Sequence, residues 1–209
     1  MSAIKKVIEL PVKQETKAIS SVWPFATDYV EEWAYWNNVL TPEECKELIR
    51  VGELKMLTPG TVFGEKRLDT DIRDSNIAWL YPEDINWAYK KIVFAINTLN
   101  NDFFKFDLFG LAEGFQFTKY EAPSGHYAPH TDKYFNGLVR KLSITIQLSA
   151  PEDYEGGQLA LHLGGEPKLM PKEHGKLIAF PSYVLHEVQP ITKGTRYSLV
   201  AWVTGAPFK

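Results

Sequence analysis

The hydrophobic period of this chain changes near residue 103, and this change constrains the fold more than any other feature. Beyond it, short runs rich in Phe, Ile, Val, Thr and Tyr alternate with clusters of Gly, Pro, Asp and Asn, which is typical of antiparallel strands and turns. The runs cover residues 114–120, 141–148, 158–163, 176–180 and 196–203. With helices before them, such strands predict an α+β, mainly β fold: a jelly-roll or double-stranded β-helix core supported by N-terminal helices.

Two helical patterns precede the change. Thr41-Pro42-Glu43-Glu44 predicts an N-cap, a proline at the first helical position and a capping-box glutamate, so a helix is expected to begin at Pro42. Pro82 opens a second pattern, whose apolar face continues to Leu99. Both apolar stripes indicate packing against a core.

We expect one domain over residues 1–209. Residues 1–22 are predicted to form an N-terminal arm or edge strand, residues 23–109 a mainly helical support, and residues 110–205 the β-helix core. Within the support, the polar loop Leu57–Asp74 is long enough to be a lid or binding loop, or simply a mobile surface loop.

Composition excludes several classes of protein. One cysteine, Cys45, excludes a disulfide scaffold and a Cys-rich zinc module. A net charge of −3 argues against nucleic acid as a partner. No stretch approaches the about 18 apolar residues of a membrane span, and residues 1–10 lack a signal-peptide core, so we expect a cytoplasmic protein with no membrane partner.

His130-Thr131-Asp132 is the first motif that suggests chemistry. On an extended segment, residues i and i+2 point to the same face, so the imidazole and the carboxylate can converge on one ion. By itself, such a pair is also common on protein surfaces.

His186 follows a strand-like run and a proline turn, and could return to face that pair in an antiparallel barrel. Two histidines and one carboxylate suit ferrous iron, although His186 could equally be a core histidine with satisfied hydrogen bonds.

Two strands have polar faces that could line a cavity. Arg196 and Ser198 share a face, and a guanidinium beside a hydroxyl is suited to bind a carboxylate. Ser143, Thr145 and Gln147 share a face of another strand. Each face has an alternative interpretation, because an exposed arginine and a solvated strand face would give the same patterns.

The order of these motifs resembles the prolyl 4-hydroxylase-type branch of the Fe(II)- and 2-oxoglutarate-dependent dioxygenases. Residues 141–202 are similar to bacterial hydroxylases described as acting on peptidyl proline or lysine, and the resemblance covers roughly residues 110–205. The matching residues are Tyr120, Gly125, Tyr127, His130, Asp132, the run Glu155-Gly156-Gly157-x-Leu159, Pro181, His186, Arg196, Ser198 and Trp202.

The resemblance implies roles for these residues. His130, Asp132 and His186 would bind iron, and Arg196 would bind the distal carboxylate of 2-oxoglutarate. Ser198 and Tyr120 would line the cosubstrate pocket. Gln147 stands where several relatives have a cosubstrate-binding tyrosine, which is a departure from the family pattern. Tyr127 and Trp202 would lie near the metal on the substrate side.

The implied reaction is hydroxylation of an unactivated C–H bond, with release of succinate and CO2. The cofactors expected from the resemblance are Fe(II), 2-oxoglutarate and O2, with ascorbate as a candidate addition. Related halogenases lack the carboxylate, so Asp132 favours hydroxylation.

The expected substrate is a prolyl residue in a peptide or protein, followed by a free amino acid or another small molecule. Loop Leu57–Asp74 and residues 133–139 could cover the site. Aromatic side chains could form a flat wall for the substrate, or could simply pack in the core: Trp79, Tyr134, Phe135 and Trp202.

Two alternatives remain open: a cupin-like jelly-roll protein that binds a divalent metal ion without 2-oxoglutarate, and a degenerate binding module. A cupin-like protein would not need Arg196 and Ser198. For the other histidines, His126, His162 and His174, surface or structural roles are expected.

Overall fold

The computed structural model describes residues 30–62, 68–135 and 137–207. The arm expected over residues 1–22 and the side chains of Tyr134 and Phe135 lie outside the described part.

Helix α1 covers Pro42–Glu53 and α2 covers Pro82–Leu99, followed by a π-helical turn, Asn100–Phe104. A short 3₁₀ helix covers Pro151–Asp153. The strands are β1 Ala34–Trp36, β2 Thr58–Pro59, β3 Arg73–Asp74, β4 Asn76–Leu80, β5 Leu108–Leu111, β6 Phe115–Glu121, β7 His126–His130, β8 Tyr134–Phe135, β9 Leu138–Gln147, β10 Tyr154–Gly156, β11 Leu159–His162, β12 Lys168–Leu169, β13 Leu177–Pro181, β14 Leu185–Val188 and β15 Ile191–Gly205.

Both helices begin where the sequence predicts. At α1, the backbone N–H of Glu44 donates to Thr41 Oγ1 (3.3 Å), and the Glu44 carboxylate accepts from the Thr41 N–H (2.9 Å), which completes the capping box. Proline opens each helix, where its missing N–H leaves no intrahelical hydrogen bond unmade. No helix in the described ranges is long and apolar enough to cross a bilayer.

The strands form two antiparallel sheets. The major sheet has ten strands with the order β1-β13-β9-β15-β6-β4-β2, with β5 and β10 paired to β15 and β8 paired to β9. The minor sheet has the order β12-β11-β14-β7-β3. This arrangement confirms the predicted mainly β jelly roll with helical support. The region 23–109 also contributes strands β1 to β4 to the sheets, which the helical prediction for that region did not include.

The apolar core lies between the helices and the outer face of the major sheet. Buried residues of α1 and α2, such as Leu48 and Ile92, join one cluster with alternate residues of the sheet. The sheet contributes Phe115, Phe117, Leu142, Ile144, Ile146, Leu177, Ala179, Leu199, Ala201 and Val203. Because successive strand residues point to opposite faces, the residues between these point toward the minor sheet.

Polar side chains fill much of the space between the two sheets. Ser143, Thr145, Gln147, Arg196 and Ser198 are all buried there, and a smaller apolar cluster that includes Leu159, Ile178 and Phe180 packs beside them. Next to these residues is a cavity of about 310 Å³. The polar faces predicted for β9 and β15 therefore point inward.

Candidate active site

Two neighbouring strands of the minor sheet bring the predicted metal ligands together. In the antiparallel pairing of β7 and β14, His130 lies directly opposite His186. Asp132 follows β7 by two residues. Its Oδ1 lies 3.7 Å from His130 Nε2, and its Oδ2 lies 3.3 Å from His186 Nε2. One potential ligand atom from each residue lies within 4.8 Å of the others. The three side chains therefore converge on one point at the cavity wall.

Hydrogen bonds orient each of these side chains. The Nδ1 atoms of His130 and His186 lie 2.8 Å and 2.9 Å from the backbone oxygens of Ala128 and Val184. A carbonyl oxygen can only accept, so each Nδ1 carries a hydrogen, and Nε2, on the Asp132 side, is the ring nitrogen left to bind a metal ion. This is the tautomer that a metal ion requires.

A serine of the major sheet binds the Asp132 carboxylate. Its Oδ2 accepts a hydrogen bond from Ser143 Oγ (2.7 Å), and Ser182 Oγ lies 3.1 Å from that hydroxyl. The Asp132 N–H donates to the Ser182 backbone oxygen (2.9 Å). These contacts fix the carboxylate between the two imidazoles.

The electrostatics of the three groups are mutually dependent. Burial, aided by the neighbouring His186, lowers the pKa of His130 to about 4. Burial by itself would raise the pKa of Asp132, but the adjacent imidazoles hold it below its usual range. Burial opposes protonation of His186, yet the contact with Asp132 raises the pKa of that imidazole. An ionised carboxylate and a neutral His130 are the forms that bind a metal ion.

A second polar cluster surrounds Arg196, whose side chain is only 1% exposed. Strand pairing places Arg196 opposite Tyr120 and Ser198 opposite Gln147. Arg196 Nε donates to Gln147 Oε1 (3.2 Å), and the guanidinium carbon lies 5.4 Å from the centre of the Tyr120 ring. Among the described residues, Arg196 Nη1 has no hydrogen-bond partner. A buried guanidinium nitrogen without a partner indicates a place for an anionic ligand.

Comparison with known proteins shows which family part of the chain resembles. Residues 115–204 match the family model of the 2OG-Fe(II) oxygenase superfamily. This matched segment contains the three residues that converge at the cavity wall and the residues around Arg196, so the similarity to that superfamily covers both clusters.

The chain is also similar to curated PKHD-type hydroxylases. The chain is 38% identical over 93 residues to one from Gloeothece citriformis, an alignment that covers 42% of this chain and 40% of the relative. It is 34% identical over 118 residues to one from Sphingopyxis alaskensis, which covers 54% of each protein. The alignments thus span about half or less of these relatives.

Solved structures share the fold of this chain. A prolyl hydroxylase from Trichoplax adhaerens, in complex with a peptide fragment of the hypoxia inducible factor oxygen degradation domain, superposes with a TM-score of 0.71. It is 20% identical, and the match covers 83% of this chain and 84% of that one. A Pseudomonas putida prolyl-4-hydroxylase superposes with a TM-score of 0.65 at 23% identity, covering 84% and 94% of the two chains.

The paired glycines at the end of strand β10 are required by the backbone conformation and by close packing. Gly156 and Gly157 both adopt positive φ angles (+73° and +61°), a region that favours glycine. A Cβ on Gly157 would lie 2.7 Å from the Ile191 side chain and 3.4 Å from Arg196 Cδ. The glycine pair therefore lets the chain turn closely past the Arg196 cluster.

The cavity is also lined by residues that the sequence analysis did not single out. The clearest are Arg73, Glu113, Gln116 and Arg140, together with Thr61. Alternation along β6 could have identified Gln116, since it shares a face with Thr118 and Tyr120. Arg73 and Thr61 come from the two ends of loop Leu57–Asp74, whose path sequence periodicity does not define. Residues 63–67 of this loop lie outside the described part.

The remaining predicted residues are distributed around the cavity. The Tyr127 ring stacks on His130 with 3.6 Å between ring centres, and Trp202 lies 6.2 Å from Trp79. All three aromatic residues line the cavity. The two ring nitrogens of His126 lie within hydrogen-bond distance of the backbone oxygens of Ser124 and Asp71. His162 Nε2 lies 3.3 Å from Glu187 Oε1. Within the described ranges, neither these two histidines nor His174 belongs to the group of potential metal ligands.

Proposed function

We propose that this chain is an Fe(II)- and 2-oxoglutarate-dependent dioxygenase that hydroxylates an unactivated C–H bond, with a prolyl residue of a peptide or protein as its substrate. The reaction would release succinate and CO2. The observation that carries the proposal is the convergence of His130, Asp132 and His186 beside a cavity, together with the buried Arg196 whose Nη1 lacks a partner.

The three converging residues fit ferrous iron. Two neutral imidazoles and one carboxylate form the facial ligand set that non-haem iron oxygenases use, with open positions for other ligands. When bound, iron with 2-oxoglutarate supplies oxygen activation coupled to oxidative decarboxylation. The protein's part is to fix the ligand atoms, which it does through the hydrogen bonds of Ala128, Val184 and Ser143.

The cluster around Arg196 fits the distal carboxylate of 2-oxoglutarate. The guanidinium is held by Gln147 on one side, so Nη1 is the donor directed to a ligand. Gln147 would act through Arg196, since its amide oxygen already accepts from Nε. Ser198, two residues further along the same strand, and Tyr120, on the neighbouring strand β6, would complete the pocket. The Tyr154 hydroxyl, also buried, is close enough to Arg196 for the positive charge to oppose the rise in its pKa that burial causes.

The substrate would enter from the other side of the metal ligands. Tyr127 and Trp202 flank that part of the cavity, and Trp79 adds a third aromatic ring. Flat aromatic surfaces suit a prolyl ring, and the names of the solved neighbours include prolyl hydroxylases, one of them with a bound peptide.

An anaerobic titration tests the proposal. Adding 2-oxoglutarate to the Fe(II)-loaded protein should produce the weak visible metal-to-ligand charge-transfer band, and succinate should form in air with a proline-containing peptide. Metal binding without this band would favour the cupin-like alternative. Succinate release with free proline and without any peptide turnover would favour the small-molecule alternative. Repeating the turnover assay with and without ascorbate tests the expectation of a reductant.

A further inference from the structure

Arg73 is a buried cation at the cavity, outside the two clusters described above. It lies on β3 at the end of loop Leu57–Asp74, and its side chain is 8% exposed. Its guanidinium carbon lies 4.6 Å from the centre of the Tyr127 ring, and that ring stacks on His130. The positive charge is therefore separated from a proposed metal ligand by one aromatic ring, on the side where the substrate would bind.

Among the described residues, the hydrogen-bond partners of Arg73 are all neutral. Its Nε donates to Ser75 Oγ (2.9 Å), Nη1 to the Thr61 backbone oxygen (3.2 Å), and Nη2 to Gln116 Oε1 (2.8 Å). A guanidinium has five N–H donors, so two remain for a ligand. In the part of the chain that the structure describes, no carboxylate lies within ion-pair distance of Arg73.

The surroundings hold this guanidinium in one position. A Cβ on Gly60 would lie 2.5 Å from Arg73 Nε and 2.6 Å from Ser75 Oγ, so the glycine provides the space that the side chain occupies. The Gly60 N–H also donates to the Ser75 backbone oxygen (2.8 Å), which joins the two segments. Arg73 is thus fixed by its neighbours while its charge stays uncompensated by them.

Arg140 shows how this protein neutralises another arginine at the same cavity. Its Nε and Nη2 donate to Glu113 Oε2 (3.1 Å and 2.5 Å), and its guanidinium lies 3.9 Å from the centre of the Trp202 ring. The charge of Arg196 is matched by 2-oxoglutarate under the proposed function. Burial of an unpaired charge is unfavourable, so a counter-charge for Arg73 is expected to come from the ligand.

We infer that Arg73 binds a carboxylate of the substrate, so that the enzyme selects substrates with a carboxylate near the carbon it hydroxylates. This inference rests on the proposed function for the placement of the reacting carbon. The carboxylate can be the α-carboxylate of a free or C-terminal residue, or an acidic side chain beside the target in a peptide. Tyr127 covers one face of the guanidinium, and the remaining donors provide a charge-assisted contact.

Matched probe pairs test this inference by binding, without turnover. Isothermal titration with Zn(II) in place of iron, and with 2-oxoglutarate present, would compare L-proline with L-prolinamide. A second pair would compare acetyl-Pro-Asp-amide with acetyl-Pro-Asn-amide. We expect the carboxylate member of at least one pair to bind about 10- to 100-fold more tightly, as for hydrogen bonds to charged groups. The pair that discriminates identifies the source of the carboxylate.

Variants then assign the preference to Arg73. Arg73→Gln should remove the preference for the carboxylate probe and leave the affinity for the amide probe unchanged. Arg73→Lys should keep part of the carboxylate preference. Arg50→Gln, the same exchange on the exposed surface of α1, should keep all of it. An Arg73 that only supported the loop would weaken both members of a pair equally. If Arg73→Gln does not fold, the Arg73→Lys variant and the wild-type pairs still decide.

Three results would overturn the inference: a preference that survives in Arg73→Gln, equal binding within both pairs, or no binding of either carboxylate probe. The charge-transfer band separates this failure from that of the proposed function. A protein that forms the band but does not discriminate between the probes retains the proposed function and loses the role of Arg73.

Discussion

The two faces of the major sheet differ sharply although they belong to the same strands. On β9, Leu142, Ile144 and Ile146 pack against the helices, whereas Ser143, Thr145 and Gln147 face the minor sheet. On β15, Leu199 and Ala201 lie on the helix side, whereas Arg196 and Ser198 lie on the inner side. Strand alternation therefore assigns packing to one face and polar chemistry to the other.

This division has an energetic consequence. Full burial of an aliphatic side chain such as Ile144 stabilises a protein by about 1.5–3 kcal/mol. Buried polar groups are favourable only when they are hydrogen-bonded or bind a ligand. The outer face should therefore supply the stability that permits unpaired donors such as Arg196 Nη1 on the inner face. Substitutions on the two faces should separate stability from ligand binding.

The largest effect is expected from the metal-ligand residues proposed above. Asp132→Ala or His130→Ala should abolish turnover, because two remaining ligands do not hold the metal ion in place. The proteins should still unfold cooperatively, because both residues lie away from the helix-facing core. Succinate release, retained metal and urea unfolding measure these outcomes. Full activity in either variant would refute the assignment of the site.

On the outer face, Ile144→Ala tests the opposite property. Removing this fully buried side chain should lower the free energy of unfolding by about 2–5 kcal/mol, through lost burial and a residual cavity. The affinity of the folded protein for metal and 2-oxoglutarate should stay the same. Thr145→Ala, the next residue on the cavity side, is the matched control and should cost much less stability. Equal losses in urea unfolding would contradict the division between the faces.

Arg196→Gln should separate cosubstrate binding from metal binding on the inner face. Losing the charged donor should raise the 2-oxoglutarate KM about 10- to 100-fold, with unchanged affinity for the metal. Arg196→Lys should have an intermediate KM, because it keeps the charge without the planar fork. Cosubstrate titrations of the charge-transfer band measure the affinity directly. An unchanged affinity in Arg196→Gln would assign the 2-oxoglutarate site elsewhere.

The sequence was sufficient to predict the fold class because its signals are local. Thr41 and Glu44 define the first helix through one capping box, and the alternation of Ser143 with Ile144 defines a strand with one polar face. Alternation did not determine which face points inward, since a solvated face has the same pattern. That depends on the minor sheet, whose position follows from contacts distant in sequence, such as the pairing of His130 with His186.

The residues on the side of the cavity where we propose that the substrate binds were harder to predict. Arg73 lies on a two-residue strand at the end of a loop, where no periodic pattern indicates the direction of a side chain. Its neighbours Gln116 and Tyr127 come from other strands, so only the three-dimensional arrangement shows that the cation is buried. Trp79 was named from the sequence as a possible wall residue, but it lies on β4, in a region for which the sequence predicted mainly helices.

The smallest effect concerns the Ser143 hydroxyl, which lies on the major sheet and contacts the carboxylate of the proposed metal ligand Asp132. Ser143→Ala removes the 2.7 Å hydrogen bond to Asp132 Oδ2, and should weaken metal affinity about 10-fold, as expected for a group that orients a metal ligand. Chelator competition with Co(II) measures this affinity. Ser198→Ala is a matched control, because Ser198 is equally buried on the neighbouring strand and lies beside Arg196. Its metal affinity should be unchanged. If both variants bind metal equally well, the orientation of Asp132 is set within the minor sheet, and the inner face of β9 contributes only to the cavity wall.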